Sequence, residues 1–199
     1  MTNFGRSLNF SQVVSLSQLP DELRAIYDAE VGNVVNSLRR LGARGRDLED
    51  LTQEVFVRAF QQLPSFDRTR AIRPWLFGIA FRVMAEARRH SWKLRTAGGA
   101  EAPEEVTDPG ATPERAAEIA QTRRLVLELL EELSPERRAV FVMYELNGDS
   151  MTEIAGALGI PLFTAYSRLR VARAQFAALV RERDPSLGGA GSGGKDDSK

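Results

Sequence analysis

The sequence lacks cysteine and contains a single histidine, His90, among 199 residues. Without cysteine, the chain has no disulfide scaffold, no thiolate zinc site and no cysteine nucleophile, and one histidine argues against histidine-based triads. No segment is apolar over the roughly 18 residues that a membrane span needs. The N-terminus also lacks a charged start followed by an apolar run. We therefore expect an intracellular, soluble protein that is not an enzyme and uses no metal or cofactor.

The chain also lacks a net charge, because 27 basic residues balance 27 acidic ones. The distribution is uneven, however. The range from Phe66 to Arg95 contains eight basic and two acidic residues, and the range from Leu162 to Arg183 contains five basic residues and one acidic residue. Six acidic residues and one arginine lie between these patches, from Gly98 to Ile119. Two basic patches around an acidic spacer are typical of a protein that touches nucleic acid at two places.

Apolar residues recur at spacings of three and four, which predicts an all-α fold. No segment shows the alternation of a strand. The predicted helices span residues 21–41, 47–63, 74–92, 113–133, 135–146, a short segment after Ser150, and 162–181. Ser134 is predicted to cap the helix that starts at Pro135.

These helices group into two small domains, residues 1–95 and 113–183. Residues 96–112 are rich in Ala, Gly, Pro and Glu without hydrophobic periodicity, which predicts a flexible acidic linker. Residues 184–199 are rich in Gly and Ser, which predicts a disordered tail.

The C-terminal domain is predicted to contain a helix-turn-helix. Ser150 and Glu153 fit a capping box, Ala155 is small enough for a close helix crossing, and Gly159 tolerates positive φ in the turn. An ordinary helical hairpin is the alternative. The second helix would expose residues suited to base edges and phosphates, namely Thr164, Tyr166, Ser167, Arg168, Arg170 and Arg173.

A second pattern is the aromatic and basic run from Arg73 to His90, which includes Arg82, Arg88 and Arg89. Aromatic faces among cations are typical of single-stranded DNA binding. Trp75 nevertheless begins an i, i+4, i+8 apolar series, which favours a core position for its ring. The loop of residues 66–71 is therefore the better candidate for holding an unstacked base.

A third pattern is a polar helix face formed by Asp50, Gln53 and Glu54. Taken alone, it is more typical of a solvated helix surface than of a binding site.

The order of several motifs gives these patterns a common meaning. D-L-T-Q-E is followed by V-F-V-R-A-F, W-L-F-G-I-A, L-S-P-E-R-R and finally T-A-Y-S-R-L-R. In order and spacing, this set resembles a bacterial sigma factor of the extracytoplasmic-function group over roughly residues 20–182.

The resemblance implies a function in transcription initiation. The N-terminal domain would dock on the clamp helices of the largest subunit of RNA polymerase and melt the downstream promoter element. The C-terminal domain would read the upstream element as duplex DNA and contact the polymerase flap. The resemblance also suggests an anti-sigma factor as a partner, a stress response and a cytoplasmic location.

Individual residues carry over from the family motifs. Asp50, Gln53 and Glu54 match the polymerase-docking positions, and Phe66, Asp67, Arg68, Thr69, Arg70 and Ala71 match the loop that captures a flipped base. In the recognition helix, Tyr166, Ser167 and Arg170 match positions that reach base edges. Thr164, Arg168 and Arg173 match phosphate contacts.

The chain departs from the family pattern at three positions. Arg82 stands where relatives usually have Asn, Phe163 where they usually have Gly, and Tyr166 where they usually have a basic residue. The base preferences of relatives therefore do not transfer directly to this protein.

Two other functions fit parts of the sequence. A helix-turn-helix repressor or activator would bind duplex DNA alone and use the N-terminal domain for dimerisation. An all-helical hydrolase would need a nucleophile or metal cluster that one histidine and scattered carboxylates do not supply.

Overall fold

The computed structural model describes residues 20–45, 47–94 and 112–183. All regular structure in these ranges is helical, which confirms the predicted all-α class. The helices are α1 Asp21–Leu41, α2 Asp47–Gln62, α3 Ile72–Leu94, α4 Pro113–Glu131, α5 Pro135–Phe141, α6 Met151–Leu158 and α7 Leu162–Arg183. A short 3₁₀ turn follows α2 at Leu63–Ser65, and a π-helical turn extends α5 at Val142–Leu146.

The predicted signals end most of these helices. Gly42 ends α1 at φ 98° and Gly159 ends α6 at φ 66°, in the left-handed region where glycine has no Cβ penalty. At the start of α6, the Ser150 backbone N–H donates to Glu153 Oε2 at 2.9 Å, and the Glu153 N–H donates to Ser150 Oγ at 3.3 Å. The predicted capping box is therefore confirmed.

The prediction that Ser134 caps α5 is confirmed for its position but not for its hydrogen bond. It occupies the N-cap position, but its side chain makes no capping hydrogen bond. A capping hydrogen bond here would have to come from the N–H of Glu136 or Arg137, since the N-cap side chain accepts from the second or third helical residue.

The first three helices form one packed unit. Val34 and Leu38 of α1, Val55 of α2, and Ile79 and Val83 of α3 are at most 2% exposed. Helices α4 to α7 form the second unit, with a buried set consisting of Leu130, Leu133, Val140, Val142, Ile154, Ala165, Leu169 and Ala172. Ala155 is also buried, as expected for the crossing of α6 and α7.

The two units pack directly against each other. Helix α6 lies on α3, and their buried residues belong to one continuous apolar core. At the contact, a Cβ atom on Gly78 would lie 2.3 Å from the carbonyl oxygen of Ala157. The linker prediction falls largely on residues 96–111, which lie outside the described ranges, as does the predicted tail.

A buried guanidinium reinforces this contact. Arg138 of α5 is 5% exposed and donates to the backbone carbonyls of Leu41 at 2.9 Å, Glu131 at 2.7 Å and Leu133 at 3.3 Å. Burial lowers the pKa of the Arg138 guanidinium to about 10. It therefore stays charged at neutral pH and joins the C-terminus of α1 to the second unit.

Replacing Gly78 by Ala should loosen the packing of α6 on α3, because the new Cβ meets backbone rather than a movable side chain. Overpacking of this kind costs about 1–3 kcal/mol of unfolding free energy. Thermal unfolding and small-angle scattering would test this, with lower stability and a larger radius of gyration expected.

Gly32→Ala is the matched control, because that α1 glycine has nothing within 4 Å of an added Cβ. We expect this variant to keep its dimensions and to gain about 0.5–1 kcal/mol from helix propensity. Equal stability and dimensions in both variants would show that the units do not pack closely at Gly78.

Candidate nucleic-acid interfaces

The polar face of α2 is available at the surface. Asp50 is exposed, while Gln53 and Glu54 are half-buried, and the opposite face of the helix buries Val55 and Phe56 in the core. The three polar residues therefore share one side of α2, as their spacing predicts.

Arginine holds one member of this face in place. Arg58 Nε donates to Glu54 Oε1 at 2.6 Å, and Arg58 Nη2 donates to Glu86 Oε2 of α3 at 2.6 Å. The hydrogen bond to Glu86, together with that to Glu54, raises the pKa of Arg58. Glu54 is consequently oriented by a charge network that ties α2 to α3, whereas Asp50 is the more exposed carboxylate.

The loop of residues 66–71 is a structured turn. The carboxylate of Asp67 accepts hydrogen bonds from the Thr69 backbone N–H at 3.0 Å and from its hydroxyl at 2.7 Å. These bonds lower the pKa of Asp67. The Arg70 N–H also donates to the Asp67 carbonyl at 3.0 Å, and Ala71 is exposed before α3 begins.

Aromatic packing supports one end of this loop. The rings of Phe66 and Trp75 lie 4.5 Å apart between centroids at an angle of 34°. Trp75 is only partly buried and packs against the core, which agrees with the apolar series that it begins. Arg68 makes an ion pair with Glu22 of α1.

Two candidate DNA contacts of the first unit point at α6 of the second. Arg82 Nη1 donates to the Ala157 carbonyl at 3.2 Å, and burial lowers the pKa of its guanidinium. Arg70 lies so close to α6 that a Cβ on Gly156 would be 2.4 Å from its Nη2 atom. Both arginines are nevertheless exposed, so α6 lies beside the surface that the sequence assigns to the downstream element without burying it.

Arg88 and Arg89 are not brought to the loop. Sixteen residues separate Ile72 from Arg88, which is about 24 Å along a helix. Arg88 donates instead to the Leu41 carbonyl beside Arg138, whereas Arg89 is exposed.

Helix α7 presents the predicted reading face. Its residues Ala165, Leu169 and Ala172 are buried in the core of the second unit. On the opposite side, Tyr166 is 55% exposed and Arg170 is also exposed. Thr164, Ser167 and Arg168 are half-buried at the border of this face.

Arg173 has a partner that the sequence did not indicate. Its Nε donates to Glu145, and its guanidinium lies 5.0 Å from the centre of the Tyr144 ring. The bond to Glu145 raises the pKa of Arg173. A phosphate at this position would therefore compete with Glu145 for the guanidinium.

Among the described residues, no helix is long and apolar enough to cross a bilayer. No three His, Cys, Asp or Glu side chains in this part of the chain are grouped so that they could hold a metal ion.

Two family models match the chain. Sigma-70 region 2 matches residues 26–94, and Sigma-70, region 4 matches residues 123–176. These matches correspond to the two packed units described above.

Curated relatives match both units together. The chain is 34% identical to the ECF RNA polymerase sigma factor SigL of Mycobacterium tuberculosis over 155 residues, which cover 75% of this chain and 84% of SigL. It is 29% identical to the RNA polymerase sigma factor NccH of Alcaligenes xylosoxydans xylosoxydans over 150 residues, which cover 74% and 81% of the two chains.

Two solved structures resemble the fold. CnrH in complex with the cytosolic domain of CnrY has a TM-score of 0.59 and 26% identity, covering 85% of this chain and 93% of CnrH. RpoE in complex with the anti-sigma factor NepR from Bartonella quintana has a TM-score of 0.60, covering 81% and 98%. At 18% identity, the second match concerns the fold alone.

Proposed function

Because the chain belongs to the extracytoplasmic-function RNA polymerase sigma factors, we propose that its two helical units divide promoter recognition between them. A sigma factor supplies promoter specificity to core RNA polymerase, and the polymerase itself catalyses RNA synthesis. Acting on polymerase places this protein in the cytoplasm. The observation that carries the proposal is the presence, in one chain, of a polar α2 face and an arginine-bearing recognition helix.

Docking on the polymerase is assigned to α2. Asp50, Gln53 and Glu54 would contact the clamp helices of the largest subunit, and the second unit would contact the flap. The α2 face suits this role because its opposite side is already committed to the core. Exposed carboxylates on a rigid helix can pair with basic side chains at little cost to folding.

Melting of the downstream element is assigned to the loop of residues 66–71 and to Arg82. The turn closed by Asp67 and Thr69 would hold a flipped base beside the supported Phe66 ring. Arg68 and Arg70 would follow the phosphates. Arg88 and Arg89 lie too far along α3 for the base pocket, so we assign them to the DNA backbone.

Reading of the upstream element is assigned to α7. Tyr166, Ser167 and Arg170 share the exposed side and would reach base edges in the major groove. Thr164 and Arg168 would position the helix on the phosphates. Arg173 would join them after exchanging Glu145 for a phosphate oxygen.

The packing of the two units supports control by an anti-sigma factor. In the two similar structures, CnrH is in complex with the cytosolic domain of CnrY, and RpoE is in complex with the anti-sigma factor NepR. In this chain, Arg82 donates a hydrogen bond to α6 and Arg70 lies close to it, so we infer that the units separate before both arginines bind DNA. A partner that stabilises the packed arrangement would therefore inhibit initiation.

Run-off transcription tests the function as a whole. The purified chain would be added to core RNA polymerase on genomic promoter fragments, with core polymerase alone as the reference. Promoter-dependent transcripts only in the presence of the chain are expected. Tight operator binding by the chain alone, without any association with core polymerase, would instead identify a helix-turn-helix repressor or activator.

Charge reversal at Asp50 should weaken association with core polymerase several-fold, because it places a cation where an exposed carboxylate is proposed to dock. The fold should remain intact, since exposed helix positions contribute little to stability. Comigration with core polymerase on a sizing column would measure the effect.

Glu114→Arg is the control for Asp50→Arg, because Glu114 is also an exposed carboxylate in the first turn of a helix, α4, but lies outside the α2 face. It should bind core polymerase as the native chain does. Equal affinities for both variants and the native chain would remove Asp50 from the interface.

Replacing Arg82 by Asn should change the base preferred in the downstream element while leaving duplex binding by α7 intact. The change replaces the charged guanidinium by a shorter, neutral amide, which is the group that the family pattern has at this position. Transcription from a panel of single-base downstream variants would measure the preference. The same ranking of variants for both proteins would place Arg82 outside the base pocket.

A further inference from the structure

We propose that Phe163 reads the 5-methyl group of a thymine in the upstream promoter element. The proposal rests on the proposed function of α7 and adds a base-reading residue to those already assigned to it.

The exposure of Phe163 is the first observation. Its side chain is 83% exposed, the highest value among the exposed large apolar residues of the described ranges. Leaving a phenylalanine in water forgoes the stabilisation that burial would give. Single exposed apolar residues are common at protein surfaces, so exposure alone does not assign a function.

The position of Phe163 on α7 is the second observation. An α-helix turns 100° per residue, so Phe163 shares one face with Tyr166, Ser167 and Arg170 at i+3, i+4 and i+7. The buried residues Ala165, Leu169 and Ala172 lie on the opposite face. Phe163 therefore stands in the middle of the reading face, in the first turn of the recognition helix, where base contacts concentrate.

The chemistry of the major groove identifies the group on DNA that Phe163 contacts. Each base edge there offers hydrogen-bond donors or acceptors, and thymine alone also offers a methyl group. An aromatic ring has no donor for the polar edges, but it makes favourable apolar contact with that methyl. The surrounding face carries arginines and no acidic residue between Leu162 and Arg181, which fits DNA.

The spacing along α7 adds a geometric expectation. Phe163 and Arg170 are seven residues apart, or about 10 Å along the helix axis. A helix that enters the major groove at an angle contacts successive bases at intervals of about three residues. The methyl-sensitive thymine should therefore lie about two base pairs from the position read by Arg170.

The test uses the full chain bound to core polymerase. The preferred upstream element is first selected from duplex DNA randomised in that region. Each thymine is then replaced by deoxyuridine, which removes only the methyl group. At one or two adjacent positions, the native chain should lose about fourfold in affinity, the effect expected for one buried methyl.

Phe163→Ala should be insensitive to deoxyuridine at those same positions while melting at the native temperature. Leu162→Ala is the matched control, because Leu162 is a neighbouring apolar residue, 44% exposed, at the edge of the reading face. It should keep the full sensitivity to deoxyuridine. Phe163→Leu, which retains an apolar side chain, should keep part of it.

Two results would overturn the inference in different ways. If the native chain prefers the selected duplex over a scrambled one but tolerates deoxyuridine everywhere, Phe163 does not read thymine, and the function proposed for α7 stands. If there is no preference for the selected duplex, that function fails too. Weaker association of Phe163→Ala with core polymerase, without any deoxyuridine effect, would assign the ring to a protein contact and also overturn the inference.

Discussion

The close approach of α3 to α6 determines how the rest of the molecule is arranged. The carbonyl of Ala157 occupies the space that any side chain at residue 78 would need, so only glycine allows the two helices to meet there. Once α6 lies on α3, Arg82 can donate to the same carbonyl and Arg70 approaches Gly156. The recognition helix α7 then has its buried face toward α6 and its arginines toward solvent.

A second contact joins the two units at the C-terminal end of α1. Arg138 places a buried charge among backbone carbonyls, and each charge-assisted hydrogen bond of this kind contributes about 1.5–3 kcal/mol. The exposed ion pair between Arg44 and Glu131 also joins the units, but surface pairs contribute about 0–1 kcal/mol. Arg138 is therefore the dominant polar tie, while part of its gain offsets the cost of desolvating the guanidinium.

The helices could be predicted from the sequence because their signals are local. Apolar spacing gave α1 to α7 to within a few residues, and the capping box at Ser150 and the glycine at 159 were visible as short motifs. The capping hydrogen bond expected from Ser134 was wrong, because residue type alone does not show where the hydroxyl points. Assignments of individual residues to DNA or polymerase remain predictions, because the pattern of a helix face does not identify the molecule that binds it.

Contacts between distant residues could not be predicted in this way. Arg82 meets a carbonyl 75 residues away, and Arg173 meets a glutamate 28 residues away. Helical periodicity shows which side of a helix is buried but not what covers it. The sequence predicted two domains but not their packing, whereas the structure joins them in one apolar core beside the candidate DNA surface.

Locking the two units together tests this account most directly. Arg40 Nη1 donates to Asn147 Oδ1 at 2.7 Å across the contact, and the chain has no cysteine of its own. Arg40→Cys with Asn147→Cys could therefore be joined by a short bismaleimide, with the same variant capped by a monofunctional maleimide as control. The account predicts that the capped protein directs run-off transcription with core polymerase and that the crosslinked protein does not. Equal transcription from both would contradict the claim that the units must separate to melt a promoter.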